Sequence, residues 1–93
     1  MPHKFVFKTT PAFRTALRKL TARQKASART AFRIFTENPF DARLRTHKIH
    51  GLSAKLRRTI YSISIEPDLR AIFYIEGSVV VSLDIGDHAI YRN

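Results

Sequence analysis

The 93-residue chain has no cysteine. Disulfides and thiolate chemistry are therefore excluded, and the expected setting is a reducing compartment, the cytoplasm. Residues 1–10 lack the uninterrupted apolar stretch of a secretory leader. No apolar run approaches the roughly 18 residues of a membrane span, which sets membrane insertion aside. Internal repeats, low-complexity tracts and linkers are also missing. One domain over residues 1–93 is expected, short enough to bury only about 60–65% of its unfolded surface around one core. Negative charge is scarce in the first two thirds. Residues 1–60 carry 15 of the 17 Lys and Arg but only Glu37 and Asp41 among the seven acids, a balance of +13. Residues 61–93 carry two cations against five acids, −3, so the overall +10 is polarised along the chain. Such a field attracts polyanions: RNA, DNA, an acidic protein or an anionic membrane. Two solvated basic helix faces are the plainer alternative.

What is present is ordinary globular material, 44% hydrophobic, set out in readable periods. HKFVFKT (residues 3–9) alternates over Phe5 and Phe7 and predicts a first strand. Thr10-Pro11 joins an N-cap acceptor to a proline suited to the first helical position. Phe13, Ala16, Leu17 and Leu20 then follow i, i+3, i+4, i+7. Thr21 and Gln24 fit a capping box for a second helix. That helix directs Ala28, Ala31, Phe32 and Phe35 inward and Arg23, Lys25, Arg29 and Arg33 outward, and Asn38-Pro39 ends it. Residues 40–55 show no clear period and read as a basic loop turning at Gly51. From Leu56 the period is two, with Tyr61, Ile63 and Ile65 on one face and Ser62 and Ser64 opposite. Glu66-Pro67-Asp68 is a turn, and RAIFYI (residues 70–75) reads as a central strand covered on both faces. Gly77-Ser78 suits a tight hairpin; VVVSLDI (residues 79–85), a GDH turn and a terminal AIY follow. The order β-α-α-β-β-β, with room for a fifth short strand, predicts an α+β fold: an antiparallel sheet with two helices over one face.

Several residues could carry chemistry, and each has a plainer reading beside it. His47 and His50 are spaced i, i+3, but no cysteine or nearby carboxylate completes a metal site, so neither metal nor cofactor is expected. Lys48, Lys55, Arg57 and Arg58 are phosphate ligands or surface decoration. Asp68 follows Pro67 as turn residues often do. Arg70 is placed to pair with Glu66, Asp68 or Glu76. Tyr91 serves equally as a core-edge aromatic, and His88 as a hydrogen-bonded residue of a strand-end turn.

Three segments in order, HKIHG (residues 47–51), YSISIEPDLRAIFYI (61–75) and VVVSLDIGDHAIY (79–91), follow a basic helical hairpin. Together they resemble the RelE/ParE superfamily of bacterial toxins and, within it, the YafQ-like ribosome-dependent mRNA endonucleases. The carriers are the H-x-h-x-G element, the I-E-P-D turn and the terminal G-x-H-x-h-[YF]. The resemblance implies a RelE-like fold, an N-terminal strand and a helical hairpin packed on a small twisted antiparallel sheet. It implies the toxin of a type II toxin–antitoxin system, with an acidic cognate antitoxin, the ribosome and mRNA, and operator DNA reached through the antitoxin complex. It also implies metal-free endoribonuclease activity that uses the RNA 2′-hydroxyl as nucleophile, carried by His47, Asp68, Arg70, His88 and Tyr91. Histidine suits the two proton transfers, here His47 and His88 in either order. Asp68 would orient an imidazole or act as base, and Arg70 would grip the phosphorane. Tyr91 would stack on a base or position the phosphate. Lys48, His50, Lys55, Arg57 and Arg58 would hold the backbone. Two positions depart from the pattern: Ser64 stands where a second catalytic histidine is expected, and Leu69 where an aromatic follows the turn aspartate. Two other activities share this fold: a ParE-like DNA gyrase inhibitor, which lacks the histidine and aspartate set, and an inactive homologue that only binds antitoxin.

Overall fold

Helix chemistry fixes how the chain enters its sheet in the computed structural model, which describes residues 4–92 apart from the Arg92 side chain. The first strand, β1, spans Val6–Thr9; His3, where the alternating stretch begins, lies outside the described residues. Helix α1 spans Pro11–Arg18. Its N-cap Thr10 accepts the Phe13 amide at 3.1 Å and donates to the Leu83 carbonyl at 3.0 Å, tying the helix start to the far end of the sequence. Helix α2 spans Ala22–Glu37 behind a complete capping box, Gln24 N–H to Thr21 Oγ1 at 3.1 Å and Thr21 N–H to Gln24 Oε1 at 2.9 Å. Ala28, Ala31 and Phe35 are buried as expected, and Phe32 is half-buried. Asn38 is extended ahead of Pro39, where proline's ring disfavours a further helical residue.

The remaining strands are β2 (His47–Lys48), β3 (Tyr61–Glu66), β4 (Leu69–Glu76) and β5 (Val79–Gly86). Their order is β1-β5-β4-β3-β2. The sheet is mixed rather than wholly antiparallel: β2 to β5 pair antiparallel, whereas β1 runs parallel to β5. β1 reaches its neighbour through the rest of the chain and not through a hairpin, so the hairpin rule does not constrain it. The fifth short strand is β2, not the terminal AIY, which lies in a 3-10 helix over His88–Arg92. The expected basic loop also contains a third helix, α3 (His50–Leu56), two turns long and therefore too short to show a period.

The sheet divides the core in two. Phe13, Phe35, Ile63, Leu69 and Phe73 fill the side under the α1–α2 hairpin. Leu52, Ile60, Ile72 and Ile90 fill the other, where α3 and the C-terminal 3-10 helix lie. β4 is thus covered on both faces, which accounts for its unbroken apolar run.

Candidate functional site

Paired residues in an antiparallel ladder project to one face. Ser64, Arg70 and Gly86 form one such row across β3, β4 and β5. His47, Ser62, Ile72 and Asp84 form the next, reaching β2. Ile72 belongs to the α3-side cluster, so both rows face away from the α1–α2 hairpin.

The C-terminal segment folds back over these rows. Asp87 Oδ1 accepts the Ala89 amide at 2.8 Å, and the Asp87 carbonyl accepts Ile90 N–H at 3.2 Å, which winds the 3-10 helix. Ile90 inserts into the core. A Cβ at residue 86 would stand only 2.9 Å from Ile90 Cγ2, so the strand must be bare there for the helix to close. The Tyr91 hydroxyl then meets Ser62 Oγ at 2.6 Å, and the Tyr91 and His88 rings stand perpendicular, 5.6 Å between centroids at 87°. His88 itself is exposed.

His47 is likewise exposed, and its Nδ1 lies 3.0 Å from the Arg45 carbonyl. A carbonyl only accepts, so Nδ1 is the donor in this contact and Nε2 is the ring nitrogen left over. The loop ahead of β2 is held by Asp41. The side-chain bonds from Arg43, at 2.9 and 3.0 Å, and then the Arg43 amide bring its carboxyl down to about 2.

Arg70 is half-buried and spends its terminal nitrogens on the protein, Nη1 on Ser64 Oγ and Nη2 on the Pro67 carbonyl at 3.1 Å. Its Nε is buried and has no partner among the described residues. None of the ion pairs among the described residues includes Arg70. Asp68 is exposed in the turn that this guanidinium ties down.

His47 and Arg70 therefore lie in neighbouring rows of one sheet face, over which the segment bearing Tyr91 and the exposed His88 folds back, with Asp68 on the turn between β3 and β4. Other expected ligands fall elsewhere. Lys48 pairs with Tyr61 and so projects to the opposite side of β2 from His47. Arg58 lies over the Tyr74 ring, 4.1 Å from its centroid, and 3.5 Å from Glu76. Tyr74 is four residues along β4 from Arg70, about 13 Å away. His50, Lys55 and Arg57 are exposed on α3 and its C-cap, Arg57 in the left-handed region at φ 57°. Among the described residues no three His, Cys, Asp or Glu gather as metal ligands would. Ser62 is the residue the sequence did not single out. Alternation put it on a polar face, and only the two unread helical segments, α3 and the 3-10 helix, show that this face is covered.

On the hairpin side of the sheet lies a cleft of about 520 Å³. Phe7, Phe13, Leu17 and Phe32 are among the residues that floor it, and Lys8, Arg18, Lys25 and Arg29 are at its rim.

No protein-family model matches the sequence, and no curated protein does. Solved structures match over nearly the whole chain. A chain of the Escherichia coli DinJ–YafQ toxin–antitoxin complex is 13% identical with a TM-score of 0.73, over 94% of this chain and 96% of that one. A chain of the archaeal RelE–RelB complex from Pyrococcus horikoshii OT3 is 14% identical, TM-score 0.69, over 90% and 94%. The YoeB/ParE toxin from Agrobacterium tumefaciens is 15% identical, TM-score 0.69, over 88% and 96%. The chain has the RelE-like α+β fold.

Proposed function

We propose that this chain is the toxin of a type II toxin–antitoxin pair, an endoribonuclease that cleaves mRNA on the ribosome without a metal ion. The observation that carries the reading is the placement of His47 and Arg70 in neighbouring rows of one sheet face, with the segment that bears His88 folded back over it, in a fold shared with toxin structures. In this reading His47 Nε2 takes the proton of the RNA 2′-hydroxyl, its Nδ1 being held by the Arg45 carbonyl. The 2′-oxygen attacks the phosphorus, and His88 protonates the departing 5′-oxygen. Arg70 supplies the cation beside the phosphorane, with Asp68 at the turn to orient a ring or share the base role. His50, Lys55 and Arg57 follow the RNA backbone. The ribosome supplies the positioning that so shallow a site lacks.

An acidic antitoxin suits the same molecule. The cleft between α1 and α2 offers an amphipathic acidic segment an apolar floor and a cationic rim. The antitoxin complex would in turn reach operator DNA. Expression in growing bacteria tests the reading. Translation should collapse within minutes, with new mRNA ends inside codons, and His88→Ala should prevent both. Filamentation with DNA damage would instead indicate a gyrase inhibitor, and normal growth an inactive homologue; Arg70's bonds to Ser64 and Pro67 are the feature that favours this last alternative.

A further inference from the structure

We propose that Ser62 is a positioning residue: it holds the Tyr91 hydroxyl, and Tyr91 in turn sets the orientation of the His88 imidazole instead of contacting RNA. The inference rests on the nuclease reading, gives a role to a side chain which that reading omits, and changes the role of another. Ser62 is 0% exposed in the middle of the sheet. A buried hydroxyl is costly without a partner, and the partner is a phenol 29 residues away, at 2.6 Å. That bond commits the polar end of Tyr91 to β3, which leaves the hydroxyl poorly placed to serve a phosphate. The Tyr91 ring instead packs perpendicular to His88, 5.6 Å between centroids at 87°. Among the described residues the imidazole has no hydrogen-bond partner, so the perpendicular Tyr91 ring is the contact that orients it. Ile90 and the Asp87 cap fix the backbone on which both rings sit, and the Ser62–Tyr91 bond fixes the remaining rotation.

The test compares wild type, Ser62→Ala, Tyr91→Phe and the double variant on mRNA-programmed ribosomes, with NMR spectra of the histidine rings in the free proteins. Each single variant should lower kcat by about 10- to 100-fold with KM unchanged, as a misplaced proton carrier does. The double variant should lose no more than either single one, because both remove the same bond. The His88 ring resonances should move in both variants as the Tyr91 ring swings away. Tyr91→Phe is nearly isosteric and guards against misfolding of the Ser62 variant. Unchanged kcat and unmoved His88 resonances, beside a wild type that cuts, would overturn this proposal alone. A raised KM at constant kcat in Tyr91→Phe would also overturn it, since the hydroxyl would then be touching substrate. A wild type that cuts nothing would remove the nuclease reading, and this proposal with it.

Discussion

At the scale of single residues, hydrogen bonds divide the candidate set by task. His47 is fixed at Nδ1 and open at Nε2, whereas His88 is exposed and steered by a neighbouring ring. Replacing either by alanine should cost about 10²- to 10⁴-fold in kcat, while binding of a 2′-deoxy oligonucleotide, measured by fluorescence anisotropy, stays within a factor of two or so. The basic residues separate in the same way. Each phosphate ligand contributes about 0.7 to the slope of log K against log salt on a single strand. Lys55→Ala and Arg57→Ala should each reduce the slope by about that amount. Arg58 is occupied by Tyr74 and Glu76, so Arg58→Ala should leave the slope alone and lower folding stability by about 0.5–1 kcal/mol. Asp41 gives a pH signature. Its folded value of about 2 lies below the ordinary 3.8, so its stabilising contribution is complete above 3.8 and lost as the pH falls towards 2. In Arg43→Ala the NMR titration of this carboxyl should return towards 3.8.

At the scale of elements, the closure of the C-terminal 3-10 helix is the most vulnerable step. Gly86→Ala sets a methyl against Ile90 and should destabilise by about 1–3 kcal/mol in urea unfolding, with a loss of cleavage larger than stability alone explains. Thr21→Ala, at the start of α2, should cost about 1 kcal/mol and leave cleavage intact. These two elements also show why some of the structure was legible in advance. α2 announces itself through a capping box, a four-residue apolar period and a proline stop, all local signals. β3 to β5 do so through alternation and short turns. α3 carries one fully buried side chain, Leu52, in seven residues, and no N-cap bond, so neither period nor cap marks it. The parallel pairing of β1 with β5 joins residues over 70 apart and leaves no local trace. The candidate histidines and the turn aspartate could be named from the sequence because motif spacing marked them. Ser62 was not, because its burial depends on α3 and on the fold-back at Gly86.

At the scale of the molecule, the basic charge of residues 1–60 is shared between two surfaces. Helix cations rim the apolar cleft on the hairpin side, while Lys55 of α3 and the α3 C-cap Arg57 lie on the opposite side of the sheet, the side that Arg70 also faces. A partner seated in the cleft would leave the histidines open unless a second segment crossed the sheet edge. Reversing Arg18 and Arg29 to glutamate should therefore loosen binding of an acidic amphipathic peptide, followed by calorimetry, without changing the cleavage rate. The central claim is chemical: the RNA attacks itself through its own 2′-oxygen, between two imidazoles. The direct test is the chemistry of the new ends when purified protein acts on mRNA-programmed ribosomes in EDTA-treated, magnesium-only buffer. The account predicts a 2′,3′-cyclic phosphate or 3′-phosphate beside a 5′-hydroxyl, and no cut where the scissile nucleotide is 2′-deoxy. Cleavage of the deoxy substrate, or products ending in 3′-hydroxyl and 5′-phosphate, would contradict it.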